Sequence, residues 1–156
     1  MSSSTEARLK ALGITLGEPA KPVARYVPFV TTGKLVFVSG QVPTDANGVA
    51  FRGKLGADYT TEQGIEAARA AGINMLSVLK AACGGDLDRV ARVVRLCGYI
   101  NAVPEFEQQP HVMNGCSNLM VDVFGEEKGL HARTAIGVGS LPFNTAVEVD
   151  GIFELV

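Results

Sequence analysis

Arg133 and Glu148 are the residues whose type and setting point most directly to chemistry. In the run Ala132-Arg133-Thr134-Ala135-Ile136-Gly137-Val138, strand alternation puts Arg133, Ala135 and Gly137 on one side and Ile136 and Val138 on the other. An arginine with such small neighbours has an open cleft above it, and its planar fork can grip a carboxylate through two parallel hydrogen bonds. Glu148 shares its side of a final strand with Ala146, Asp150 and Ile152, opposite the apolar set Val147, Val149, Phe153 and Leu155. It therefore points away from the core that its neighbours fill. Two explanations compete: a solvated cross-strand ion pair between Arg133 and Glu148, or an open carboxylate grip at Arg133.

Other reactive side chains carry less. Cys83, Cys97 and Cys116 are odd in number, widely spaced and without a CxxC pair, so no disulfide framework or zinc knuckle is implied. Cys97 falls in a predicted strand and Cys116 in an apolar helical stripe, which makes both expected core thiols. His111 and His131 lie in unrelated segments, and His131, beside a loop, is given no role. Asp86 and Asp88 suit a solvated turn, and no metal site is expected.

These residues must be positioned by elements that the sequence also marks. Residues 5 to 12 read as a short helix ending near Gly13, and residues 1–23 as an N-terminal arm interrupted by Gly17, Pro19 and Pro22. Tyr26 to Val30 and Leu35 to Ser39 are β-branched and aromatic, with Thr31-Thr32-Gly33-Lys34 between them, which predicts a hairpin. Residues 44–58 read as a long loop with a short strand near Val49 to Phe51. Thr60 and Gln63 form a capping box, after which Ile65, Ala68, Gly72, Met75, Leu76, Leu79 and Ala82 recur at helical spacing as far as Gly84-Gly85. Val90 to Asn101 is a strand. Pro110 opens a second helix whose stripe runs Val112, Met113, Cys116, Leu119, Met120, Val123 and Phe124 before Gly125 stops it. Thr134 to Val138 and Ala146 to Val156 close the chain as strands. The order β-β-α-β-α-β-β predicts an α+β two-layer sandwich, with antiparallel strands, two long helices on one face and the other face left for subunits to cover.

Composition narrows the function classes. A chain of 156 residues with 47% hydrophobic and 19% charged residues can bury one substantial core, so residues 1–156 are expected to form a single domain. Fourteen basic against sixteen acidic residues, with no basic run, argue against nucleic acid as a partner. The N-terminal stretch carries Glu6, Arg8 and Lys10 and has no apolar run long enough for a signal sequence or membrane span, so a cytoplasmic location is expected.

Tyr26, Ser39-Gly40-Gln41-Val42-Pro43, Ala132-Arg133-Thr134, and Leu141-Pro142 followed by Val147-Glu148-Val149 together give a pattern that resembles the RidA/YjgF family of imine deaminases, also called the endoribonuclease L-PSP family. The resemblance runs over residues 24 to 156, and its intervals from Tyr26 to Gly40 and from Arg133 to Glu148 match without gaps. It implies a chorismate mutase-like fold and a homotrimer whose sheets line a central barrel, with pockets between subunits. It also implies hydrolysis of an enamine or imine of the 2-aminoacrylate type to a 2-oxo acid and ammonia, with no cofactor. Arg133 would bind the substrate carboxylate and Glu148 would orient or deprotonate the attacking water. Tyr26, Gly40, Asn118 and Ala135 would shape the pocket. The family's helix asparagine can correspond to Asn118 or to Asn114 one turn earlier, and Asn118 is taken here. This chain departs from the family at Ala135, where cysteine is usual, at His131, where proline is common, in its longer arm and in its loop at Gly48 to Asp58. A trimer that binds small carboxylates or partner proteins without catalysis is the alternative. Endoribonuclease activity ranks third, since no basic groove supports it.

Overall fold

The computed structural model describes residues 4–156; residues 1–3 of the arm lie outside the described residues. The chain opens with α1 (Ser4–Ala11), which is docked rather than free. Leu9 is buried in the core, Thr5 N donates to Asp88 Oδ1 at 3.1 Å, and Lys80 Nζ pairs with Glu6 Oε1 at 2.8 Å.

A hairpin follows, with β1 (Phe29–Thr32) and β2 (Leu35–Gln41). Thr32 pairs directly with Leu35, so the turn is the two residues Gly33-Lys34 and not the four expected. Gly33 has φ +57, the left-handed conformation that such a tight turn needs. The first strand begins at Phe29, three residues later than the composition at Tyr26 suggests. In the following loop β3 (Thr44–Asp45) pairs with β4 (Gly48–Val49) as a small separate ribbon.

Next comes α2 (Thr61–Ala82). Its capping box forms as expected: Thr60 Oγ1 accepts from Gln63 N at 3.3 Å, and Gln63 Oε1 accepts from Thr60 N at 2.9 Å. Strand β5 (Val90–Asn101) leads to α3 (Gln109–Phe124), which has Pro110 in its first turn and Gly125, φ +81, at its end. The single helical turn α4 (Glu126–Gly129), unforeseen in the sequence, precedes β6 (Ala132–Val138) and β7 (Val147–Leu155).

The five long strands make one sheet in the order β1-β2-β7-β5-β6. All neighbours are antiparallel except β5 and β6, which run parallel, a correction to the wholly antiparallel sheet expected. The connection through α3 is long enough to return the chain to the same end of the sheet, as parallel pairing requires. Helices α2 and α3 cover one face, and Val36, Val93, Leu96, Ile100, Val147, Val149 and Phe153 meet Met75, Leu76, Leu79, Met113, Leu119 and Met120 in a single core. Each of these larger side chains contributes about 1.5–3 kcal/mol on burial. Among the described residues no helix covers the opposite face. It carries Val30, Phe37 and Ile136 at 53%, 42% and 45% exposure. Among the described residues no helix is long and apolar enough to cross a membrane.

Candidate functional site

Along β7, Val147, Val149, Gly151 and Phe153 are buried toward the helices, whereas Glu148 and Asp150 face the uncovered side and are half-buried. Glu148 lies over Gly40, where β2 breaks register between Val38 and Gln41. A Cβ on Gly40 would collide with Glu148 Oε1 and sit 3.0 Å from its Cδ, so glycine makes the room for the carboxylate. Burial, and secondarily the charge of Asp150, raises the Glu148 pKa above the usual glutamate value.

Around Glu148 is a cavity of about 260 Å³, lined among others by Tyr26, Gly40, Val42, Pro22, Val23 and Phe143. Three of the predicted site residues, Tyr26, Gly40 and Glu148, thus share one pocket, and the N-terminal arm supplies part of its wall. Phe143 reaches that pocket from a turn with φ +58, a conformation uncommon for a bulky residue. The turn is held from below by Asn101, which is fully buried. Its Nδ2 donates to Asn144 Oδ1 at 3.2 Å and to Thr145 O at 3.1 Å, while its Oδ1 accepts from Lys54 Nζ at 2.7 Å.

Arg133 belongs elsewhere. It pairs with Leu96 across the parallel β5–β6 ladder, and so lies on the helix-covered side of the sheet, at its edge. Strand β5 separates β6 from β7, and the two residues occupy opposite faces. The cross-strand ion pair considered above is therefore absent. Nη1 of Arg133 donates to Asn114 Oδ1 at 2.7 Å and to Ser117 Oγ at 3.3 Å. The partner on α3 is Asn114, whereas Asn118, taken from the sequence, is exposed and accepts nothing from Arg133. No described residue accepts from Nε or Nη2, so the side of the fork with two parallel N–H bonds is open, the edge suited to a carboxylate. Ala135 follows on the same face in register with Gly98, and at Gly137 the groove is closed by Gln109, whose Nε2 would lie 2.9 Å from an added Cβ.

Cys83 and Cys116 are buried free thiols, and burial pushes Cys116 up to about 12, far from thiolate chemistry. Cys97 departs from the expectation of a core thiol: it is half-buried on the uncovered face, where Arg95 Nη2 lies 3.4 Å from its sulfur. Asp86 caps a short turn by accepting from Asp88 N at 3.0 Å.

Comparison with known proteins places the chain among relatives. Residues 6–155 match a family model described as "YjgF/chorismate_mutase-like, putative endoribonuclease". Protein TCP17 of Trypanosoma cruzi is 47% identical over 154 residues, covering 99% of this chain and 96% of that protein. A solved structure from Agrobacterium tumefaciens is 44% identical with a TM-score of 0.91, covering 98% of this chain and 93% of that one. Another from Shewanella oneidensis, given the same endoribonuclease description, is 35% identical with a TM-score of 0.92 over 97% and 99% of the two chains. With the family model matching nearly the whole chain and these relatives in agreement, the chain belongs to the RidA/YjgF family, with its chorismate mutase-like α+β fold.

Proposed function

We propose that this protein hydrolyses enamine or imine intermediates bearing a carboxylate, in pockets built between the subunits of a homotrimer. The observation that carries the reading is the state of Arg133. One end of its guanidinium is pinned by Asn114 and Ser117 while the Nε/Nη2 edge stays open, as a carboxylate receptor requires. Glu148 supplies the other half, a partly desolvated carboxylate of raised basicity in a pocket. The halves lie on opposite faces of one sheet, so a second copy must bring them together. The exposed apolar residues Val30, Phe37 and Ile136 on the uncovered face support such docking.

The proposed reaction follows from these placements. Arg133 fixes the substrate carboxylate, which aligns the adjacent imine carbon against a water molecule held by Glu148 of the neighbouring copy. Glu148 takes a proton as the water oxygen bonds to that carbon and returns it to the imine nitrogen; it then relays the carbinolamine hydroxyl proton to the same nitrogen as the C–N bond breaks, so that ammonia leaves and the C=O bond forms. Tyr26 and Gly40 border the water side, and Ala135 the carboxylate side.

The test is a pair of single variants. Arg133→Lys is expected to weaken pyruvate or 2-oxobutyrate binding by about 1.5–3 kcal/mol, because a point charge cannot reproduce the two-pronged contact. Glu148→Gln is expected to keep most of that binding yet slow ammonia release from an enamine generated in the assay by roughly 100-fold or more. Calorimetry and a coupled ammonia assay measure the two effects. Wild-type binding with no ammonia release above background would leave a carboxylate-binding module in place of an enzyme, and unchanged binding by Arg133→Lys would remove the anchor role.

A further inference from the structure

Behind Arg133 the hydrogen bonds continue inward. Ser117 Oγ, which accepts from Arg133 Nη1, lies 3.0 Å from His131 Nε2, and His131 Nδ1 lies 2.6 Å from the Gly129 carbonyl. A carbonyl can only accept, so Nδ1 carries the proton. In a neutral imidazole Nε2 is then an acceptor, and it takes the Ser117 hydroxyl proton. The hydroxyl is thereby turned so that its lone pairs face Arg133. Three donors thus point one way, from Arg133 to Ser117, from Ser117 to His131, and from His131 to a carbonyl in α4. The ring is half-buried. Burial lowers its pKa more than the Gly129 bond raises it, and the Arg133 charge lowers it further, which favours the neutral form that this polarity needs.

We infer that His131 is a positioning residue that acts through Ser117 to hold the Arg133 guanidinium with its Nε/Nη2 edge toward the carboxylate. The inference rests on the reading of Arg133 as the anchor. A ring that lacked the acceptor at Nε2 would leave the hydroxyl free to turn its proton toward the guanidinium, and Nη1 would keep Asn114 alone. Sequence alone gives His131 no role because its partners, Ser117 and Gly129, are a helix residue and a turn carbonyl that only the tertiary fold brings together.

Calorimetric titration of the intact protein with pyruvate at neutral pH tests the relay. Ser117→Ala and His131→Leu are each expected to raise Kd roughly 3- to 10-fold, the effect of one hydrogen bond. His131→Gln, whose amide oxygen can replace Nε2 as acceptor, is expected to return within about twofold of wild type. In the Ser117→Ala background, His131→Leu should change Kd by less than about twofold, because its route is already cut. A full His131→Leu effect in that background, or none in wild type, overturns the relay, provided that Arg133→Lys still weakens binding. If Arg133→Lys binds as wild type does, the anchor reading falls first. Nitrogen NMR of the wild-type imidazole needs no variant: the Nδ1–H neutral tautomer is expected, and an Nε2–H or protonated ring at neutral pH overturns the proposal.

Discussion

Glu148 and Gly40 are matched to each other, one carrying the carboxylate and the other making space for it, and both choices have a measurable cost. Because the folded-state pKa of Glu148 is raised above its ordinary value of 4.5, the fold favours its protonated form. Below the unfolded value both states are protonated and no penalty exists; as pH rises through the folded value, stability is lost. Glu148→Gln should therefore have a higher denaturation midpoint than wild type at pH 7, and the gap should close near about pH 4. A variant less stable at pH 7 would mean that the carboxylate is held by favourable contacts. The same basicity predicts that ammonia release rises with pH through the Glu148 titration and then levels. Gly40→Ala should cut activity while sparing the fold, since the atom it meets first is the mobile end of Glu148; circular dichroism and the ammonia assay separate the two. At this scale the types and spacing of Arg133, Glu148, Tyr26 and Gly40 were readable from the chain. Asn114 was not separable from Asn118, because residues four apart share a helix face and only the position of β6 against α3 selects between them.

Helices α2 and α3 approach closely at glycines. A Cβ on Gly115 would fall inside the van der Waals contact distance of the Ile65 carbonyl oxygen and 3.1 Å from Arg69 N, and one on Gly72 would lie 3.0 Å from both Cys116 Sγ and Leu119 Cδ2. Replacing an interior helical glycine by alanine ordinarily gains about 0.5–1 kcal/mol. Here the obstacle is backbone, which cannot rotate aside, so overpacking at the upper end of its usual range of about 1–3 kcal/mol should win. Gly115→Ala is expected to be destabilised in urea unfolding by more than Thr60→Ala, whose lost cap costs about 1 kcal/mol; the reverse order would show that the helices separate freely. The two helices, their caps and the hairpin were legible because periodicity, capping boxes and turn residues act over a few positions. The parallel pairing of β5 with β6 was not, since nothing in the residues of either strand names a partner beyond the intervening helix. The turn α4 carries no such signal, being a single turn of Glu126-Glu127-Lys128-Gly129 with no apolar stripe.

At the scale of the whole molecule, the separation of Arg133 from Glu148 converts a question about assembly into one about activity. If each pocket takes its Arg133 half from one subunit and its Glu148 half from the next, two inactive variants can repair one another. An Arg133→Lys subunit still offers an intact Glu148, and a Glu148→Gln subunit still offers an intact Arg133. Co-expressed in equal amounts and assembled at random, they should form pockets that carry both native residues in about a quarter of cases. The mixture is then expected to release ammonia at about a quarter of the wild-type rate, well above the mean of the two variants alone. Light scattering on the same sample should give about three times the 16.4 kDa chain mass at micromolar concentration. A site complete within one chain predicts no gain on mixing, because every subunit then carries its own defect. A trimer without complementation would place the pocket inside the subunit and leave the uncovered sheet face with a purely structural task.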